Sequence, residues 1–199
     1  KAVLFNEFLS IGAVTVEAYM GTRMGTAEWG GRYRRIGDFN LALCQDPFDL
    51  TDAYDFVVAG WDRFWSDRST YLLKGGRQLA QTAERDWRKY LRRHLPSANK
   101  LCLVAETGGE SVGFLLASIE LRPPILMERR YGHISDAYVQ ESERRKGVGK
   151  ALVTEAMHWF EEKRIMRVRL QTDARNTLGF AFWKRLGFQT TVFTMDKLL

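Results

Sequence analysis

"ERRKGVGKAL", residues 143–152, sets three basic side chains and two glycines in front of an apolar stripe, and the fold turns on what flanks it. Upstream, "GHISDAYV" (residues 132–139) reads as a strand. Downstream, Val148, Leu152, Ala156, Trp159 and Phe160 recur at helical spacing over about 15 residues. A strand feeding a glycine turn and then a helix leaves the first backbone N–H groups of that helix unpaired and pointing one way. The partial positive charge of the helix start adds to them, and Gly147 and Gly149, lacking Cβ, let an anion approach the backbone closely. Arg144, Arg145, Lys146 and Lys150 supply further charge, so the stretch reads as a phosphate-binding turn.

Two familiar phosphate loops do not fit it. A triphosphate-binding P-loop needs a glycine where Arg144 stands and a hydroxyl where Ala151 stands. The dinucleotide fingerprint needs its third glycine at Leu152, within a repeated strand–helix–strand pattern that the neighbouring hairpin does not supply.

Working outward, "FNLALCQ" (39–45) is strand-like. After Thr51 as N-cap, Tyr54, Val57, Val58, Trp61, Phe64 and Trp65 mark a helix. Leu79, Ala83, Trp87, Tyr90 and Leu91 mark a second, which stops by Pro96. "LCLVAET", the turn "GGE" and "SVGFLLASIEL" make an antiparallel hairpin closed by Pro123 and Pro124. Beyond the central helix, "RVRLQT" is a strand, "TLGFAFWKRL" a helix ended by Gly187, and "FQTTVFTM" a closing strand. The order β-α-α-β-β-β-α-β-α-β predicts an α/β fold of α+β type, a mixed, mostly antiparallel central sheet with helices on both faces. The domain is placed at residues 38–199. Residues 1–37 are read as an N-terminal extension, with "GTAEWGGRYRRIGD" (25–38) as connector and, given "MGT" at Met20 and again at Met24, the first twenty-odd residues as upstream or vector-derived.

A chain of 199 residues suits one domain, and 45% hydrophobic with 13% aromatic residues argues against disorder. The net charge of +6 favours anionic ligands without choosing among them. Cys44 and Cys102 show no metal or disulfide spacing, so no metal is expected and a reducing, cytoplasmic setting is. No apolar run approaches the roughly 20 residues that cross a bilayer. Asn6 and Glu7 interrupt the leader-like "KAVLFNEFLSIGAV", so neither export nor a membrane partner is expected. The arginines of "RDWRKYLRRH" interleave with a helical apolar stripe and read as its solvated face, so no nucleic-acid partner is expected either.

Arg144-x-x-Gly147-x-Gly149 resembles the Q/R-x-x-G-x-G/A signature of the GNAT superfamily of acyl-CoA-dependent N-acyltransferases. "NTLGFAFWKRLGF" (176–188) resembles the N-x-x-A-x-x-F-Y-x-x-x-G-F of the same family, and the element order resembles its fold from about residue 38 onward. The resemblance implies acetyl-CoA as co-substrate, held at its pyrophosphate by the backbone amides of Arg145, Lys146, Gly147, Val148, Gly149 and Lys150, with Arg144 at the turn's entry. It further implies that the Val139 backbone pairs with the pantetheine arm, that Asn176 contacts it, and that Lys184 approaches the cofactor. Asn176 as a simple helix cap is the competing reading.

Acylating an amine requires its neutral form, which at pH 7 is only about one molecule in a few thousand for an alkyl amine. In the family the base stands eleven or nine residues before the signature's first residue, here His133 and Ser135, which strict alternation puts on one strand face with Asp136 on the other. His133, with an ordinary pKa near 6.5, is the expected general base. The family's acid, a tyrosine seven residues after the asparagine, is replaced by Trp183, leaving Tyr138 or solvent to protonate the departing thiolate. The expected function is an N-acetyltransferase acting on a primary amine of a small molecule or peptide, with a homodimer left open; the alternative is a catalytically silent acyl-CoA binder. The acceptor would be read by the two helices of the first half, "SDRSTYLLKGGRQ" and "RPPILMERRYG".

Overall fold

A computed structural model of the chain describes residues 16–18, 33–36, 39–43, 57, 81–95, 97–193 and 195. Seven strands form one sheet in sequence order: β1 (Val16–Ala18), β2 (Tyr33–Ile36), β3 (Phe39–Leu43), β4 (Lys100–Thr107), β5 (Glu110–Leu121), β6 (Arg130–Val139) and β7 (Val168–Leu170). Helices α1 (Ala83–His94), α2 (Val148–Glu162) and α3 (Thr177–Arg185) complete the described elements, with a 3-10 turn at Glu141–Glu143. Every pairing is antiparallel except that of β6 with β7.

The hairpin forms where "GG" demands it. Gly108 and Gly109 both have positive φ, +59° and +84°, the conformation a two-residue turn needs and side chains resist. Its second strand, β5, is buried along both faces, as befits an interior strand of the sheet. On one face Cys102, Val104, Phe114, Leu116 and Tyr138 pack against Leu91 of α1 and Leu95 just past its end, with Val57. On the other, Leu103, Leu115, Ala117 and Ile134 pack against Leu152, Val153, Ala156 and Phe160 of α2. The α2 stripe is therefore the helical face read from the sequence, and the sheet is covered on both sides.

Two glycines set how closely α2 lies on the sheet. A Cβ on Gly132 would come 2.5 Å from the Phe160 ring, and one on Gly113 would come 2.9 Å from the Tyr138 carbonyl oxygen and 3.3 Å from Val148. The start of α2 is thus seated beside the end of β6.

The structure departs from the sequence expectation at both ends. β2 lies inside the presumed connector and pairs with β3 from Tyr33↔Ala42 to Ile36↔Phe39; β1, further upstream, pairs with β2. Short edge strands carry too few residues for periodicity to reveal them, and the glycines around them mask the signal. Residues 188–193, expected as a closing strand, are in none, and Val192 and Phe193 are exposed. Alternation there finds only a three-residue β7 as a neighbouring edge, which is too short to template a strand. The helix expected after Thr51, Val57 apart, and "SDRSTYLLKGGRQ" lie outside the described residues.

Candidate active site

The anion turn forms as its residues dictate. Arg144 donates from Nε to the Val139 carbonyl at 3.0 Å, folding the chain back on the end of β6. Arg145 and Gly147 then take left-handed backbone, φ +66° and +96°. The first helical bond of α2 runs from the Ala151 N–H to the Gly147 carbonyl at 3.0 Å, so the amides of Val148, Gly149 and Lys150 precede it and have no helical partner. No side chain caps this end and no acid sits in its first turn, which leaves the positive end of the helix to an outside anion. Lys146 is paired with Glu143 at 3.0 Å, while Arg145 and Lys150 are exposed. Gly149 also serves packing, since a Cβ there would meet the Phe182 ring of α3 at 3.3 Å and the Val139 side chain at 3.6 Å.

Next to the turn the sheet splits. β6 and β7 pair only from Gly132↔Val168 to Ile134↔Leu170, and beyond that β6 continues with β5 as its one partner strand. The gap is a cleft lined by Ile134, Ser135, Asp136 and Ala137 on one side, and by Leu170, Gln171, Thr172, Asn176 and Trp183 on the other. Trp183 is fixed there by edge-on contacts to Phe182 and Phe188 at 4.9 and 5.4 Å between centroids. The Asn176 side-chain oxygen accepts the Gly179 N–H at 2.9 Å, capping α3, so its amide NH2 is the part left for the cleft. An extended chain entering here would run from the anion turn along the free edge of β6, past Val139.

A bulge decides which side chains meet. Leu116 pairs with Asp136 and Ala117 with Ile134, so Ser135 has no opposite residue and alternation is reset after it. Asp136, opposite Leu116, therefore shares the α1 face of the sheet with His133, opposite Ser118. This corrects the expectation that His133 and Ser135 share a face and that Asp136 points away. Ser135 instead lines the cleft and donates weakly to the Leu116 carbonyl at 3.4 Å.

Around His133 the charges are arranged rather than scattered. Burial pushes its pKa below the ordinary value, against the opposing pull of the Glu120 and Asp136 carboxylates and with a smaller contribution from Lys100. Glu120 is held below the ordinary carboxyl range by the Ser118 hydroxyl, which donates to it at 2.6 Å, and by Lys100 at 3.2 Å. Tyr90 of α1 is raised by burial and by the same two carboxylates. An imidazole held below its ordinary pKa, with the Glu120 and Asp136 carboxylates acting on it, can receive a proton from a bound cation. Glu120, Asp136 and Tyr90 were not among the expected catalytic residues. Glu120 follows Phe114, Leu116 and Ser118 at two-residue spacing on β5, and that spacing was the available signal.

The remaining expected residues fall elsewhere. Tyr138 is buried at 9% exposure against Phe114, 5.8 Å between ring centroids, and does not line the cleft. Lys184 lies on the exposed side of α3 with its ammonium 5.9 Å from the Phe180 ring centroid. "RPPILMERRYG" lies at the start of β6, at the far end of that strand from the turn. Among the described residues, no cluster of His, Cys, Asp or Glu could hold a metal ion.

The profile of the acetyltransferase (GNAT) family matches residues 61–188. The chain is 30% identical over 89 residues to N-alpha-acetyltransferase 30 of Xenopus laevis, covering 45% of this chain and 32% of that protein. It is 31% identical over 103 residues to an N-alpha-acetyltransferase of Sulfurisphaera tokodaii, covering 48% and 60%. The aligned part thus spans less than two thirds of either relative. A predicted acetyltransferase from Clostridium acetobutylicum, solved with acetyl-CoA, superposes with a TM-score of 0.60 at 17% identity, covering 80% of this chain and 96% of that one, a likeness of fold. With its helix-start anion turn beside a split in the sheet, the chain belongs to the GNAT acetyltransferase family.

Proposed function

We propose that the protein transfers the acetyl group of acetyl-CoA to a primary amine, with the cytoplasm as its setting. The observation that carries this reading is β6 itself, which presents His133 and Asp136 in its middle and delivers the chain into the anion turn. The residues fit the co-substrate. Unpaired amides at Val148, Gly149 and Lys150, with Arg145 and Lys150 exposed beside them, suit a pyrophosphate, and the cleft next to them suits an extended arm. Bound acetyl-CoA supplies an activated acyl group as a thioester. His133 takes the proton from the acceptor ammonium, Glu120 and Asp136 stabilise the cationic amine and the imidazolium, and solvent protonates the departing thiolate. The acceptor is a small-molecule or peptide amine, and the likeness to two N-alpha-acetyltransferases puts peptide α-amines first in the trial.

The test is release of CoA thiol from acetyl-CoA with a panel of peptide and small-molecule amines. Amine-dependent release that disappears in His133→Ala supports the reading. Tight acetyl-CoA binding with no release for any amine favours a silent acyl-CoA binder, a second reading supported by Trp183, which occupies the cleft where the family has a proton donor.

A further inference from the structure

Two segments meet at the start of β6: 121–131, "LRPPILMERRY", and 163–169, "KRIMRVR". The Gly132 N–H donates to the Arg167 carbonyl at 2.8 Å, and Arg167 pairs with Glu128 at 3.0 Å. The Arg122 and Arg169 guanidinium groups lie over the Tyr131 ring, 5.0 and 5.4 Å from its centroid. The first segment is tied at its base, with the Arg122 N–H donating to the Arg129 carbonyl at 2.8 Å and the Leu126 N–H to the Pro123 carbonyl at 3.2 Å. The two segments therefore present one surface. β6 separates it from the anion turn by roughly 30 Å, at about 3.3 Å per residue.

Its composition is lopsided. The segments carry seven of the chain's 30 basic residues and one of its 24 acidic ones; Arg129, Arg130, Arg164, Arg167 and Arg169 are exposed, while the Arg122 side chain is largely buried. Inside that basic field stand bare apolar side chains: Ile125 is 87% exposed, Met127 102%, Met166 88% and Leu121 71%. Exposure that complete means that the side chains project from the body rather than line a groove.

We propose that this surface docks on an anionic phospholipid bilayer, with Ile125 and Met127 entering the headgroup–acyl boundary and the surrounding arginines meeting lipid phosphates and carboxylates. A projecting apolar tip ringed by cations matches a membrane interface, where hydrocarbon lies a few ångströms beneath a plane of negative charge. Nucleic acid would take the arginines and leave the tip in water. A second copy would bring +6 against +6. The inference is independent of the acyltransfer reading.

The test is flotation of the full chain with phosphatidylcholine vesicles, with and without about three-tenths phosphatidylserine. The wild type should float with the anionic vesicles only, and raised salt should release it. Ile125→Asp/Met127→Asp should reduce partitioning at least about tenfold, or 1.4 kcal/mol, with thermal midpoint and acetyl-CoA binding unchanged. Met127→Trp reports separately, by a blue shift on anionic vesicles in its difference spectrum against the wild type, whose six tryptophans also emit. Absence of flotation, equal flotation of the Asp variant, or an unshifted Met127→Trp spectrum would each overturn the proposal. So would polyaspartate binding as sensitive to the Asp variant as vesicle binding is, since the surface would then be an acidic-protein interface.

Discussion

Gly147 and Gly149 are separated by one residue and do different work. Gly147 has φ +96° with open space where a Cβ would stand, so Gly147→Ala pays only for left-handed backbone, about 1–2 kcal/mol, readable as a lower thermal midpoint. Gly149 has ordinary φ but faces Phe182, so Gly149→Glu combines a packing cost with a negative charge on the anion site. Gly149→Ala carries the packing cost alone. The charge effect predicts acetyl-CoA binding weakened at least about tenfold more by Glu than by Ala in calorimetry; equal losses would remove the pyrophosphate from this turn. His133 offers a test by pH. Its folded pKa lies below its ordinary value, so the unfolded chain takes up the proton first as pH falls. The fold should lose stability from about pH 6.5 downward and level off once the folded imidazole protonates too, and His133→Gln should flatten that slope in a pH series of melts. In the rate, kcat/KM should rise with pH through the same ionisation, and His133→Ala should lose about 10²-fold or more, with partial rescue at high pH where the amine is already neutral. A wild-type rate in that variant would leave His133 a structural role only. The anion turn was legible because its meaning lies in contiguous residues. Asp136 was not, because one bulged serine reverses every face assignment after it.

The helices show how single residues position elements around the cleft. α3 begins at Asn176, whose side-chain oxygen takes the Gly179 N–H, and the carbonyl of the same residue receives the Phe180 N–H at 2.9 Å. Asn176→Ala should therefore destabilise the fold by about 1 kcal/mol, whereas Asn176→Asp, which keeps the acceptor oxygen, should melt near wild type. If the amide NH2 also holds the pantetheine arm, the Asp variant alone separates the roles: stability retained, acetyl-CoA affinity reduced. Loss of neither would return Asn176 to capping alone. On the same side of the sheet, α2 rests on Gly132 through Phe160, with no room for a methyl group. Gly132→Ala should cost about 1–3 kcal/mol, and Phe160→Leu in the same chain should recover part of it in a double-mutant cycle. The boundaries of α2, β4 and β5 followed from periodicity and turn glycines, because each buries a full face. The last strand did not, because alternation in "FQTTVFTM" says nothing about whether a neighbour is long enough to receive it.

For the whole molecule, the question left by the sequence is where the working unit begins. Residues 1–37 read as an extension because they carry glycines, charges and no long periodic run, yet Val16–Ala18 and Tyr33–Ile36 add two strands to the edge of the sheet. The two do not weigh the same. β1 is three residues long and touches the sheet only through β2, so it is a terminal edge strand of the kind that opens at little cost. β2 covers β3, whose Leu41 is fully buried in the main core, so removing it strips the edge next to that core and leaves a row of unpaired backbone groups. Deleting residues 1–23 should therefore shift the thermal midpoint by no more than about 2–4 °C, the equivalent of roughly 1 kcal/mol in a domain of this size, with acetyl-CoA binding intact because the turn lies at the end of β6. Deleting residues 1–37 should lower it further and promote self-association through the bared edge of β3, seen as concentration-dependent elution in size exclusion. A shorter truncation that already collapses the midpoint would make β1 integral to the core, and a longer one that melts and elutes like the full chain would reduce β2 to an appendage.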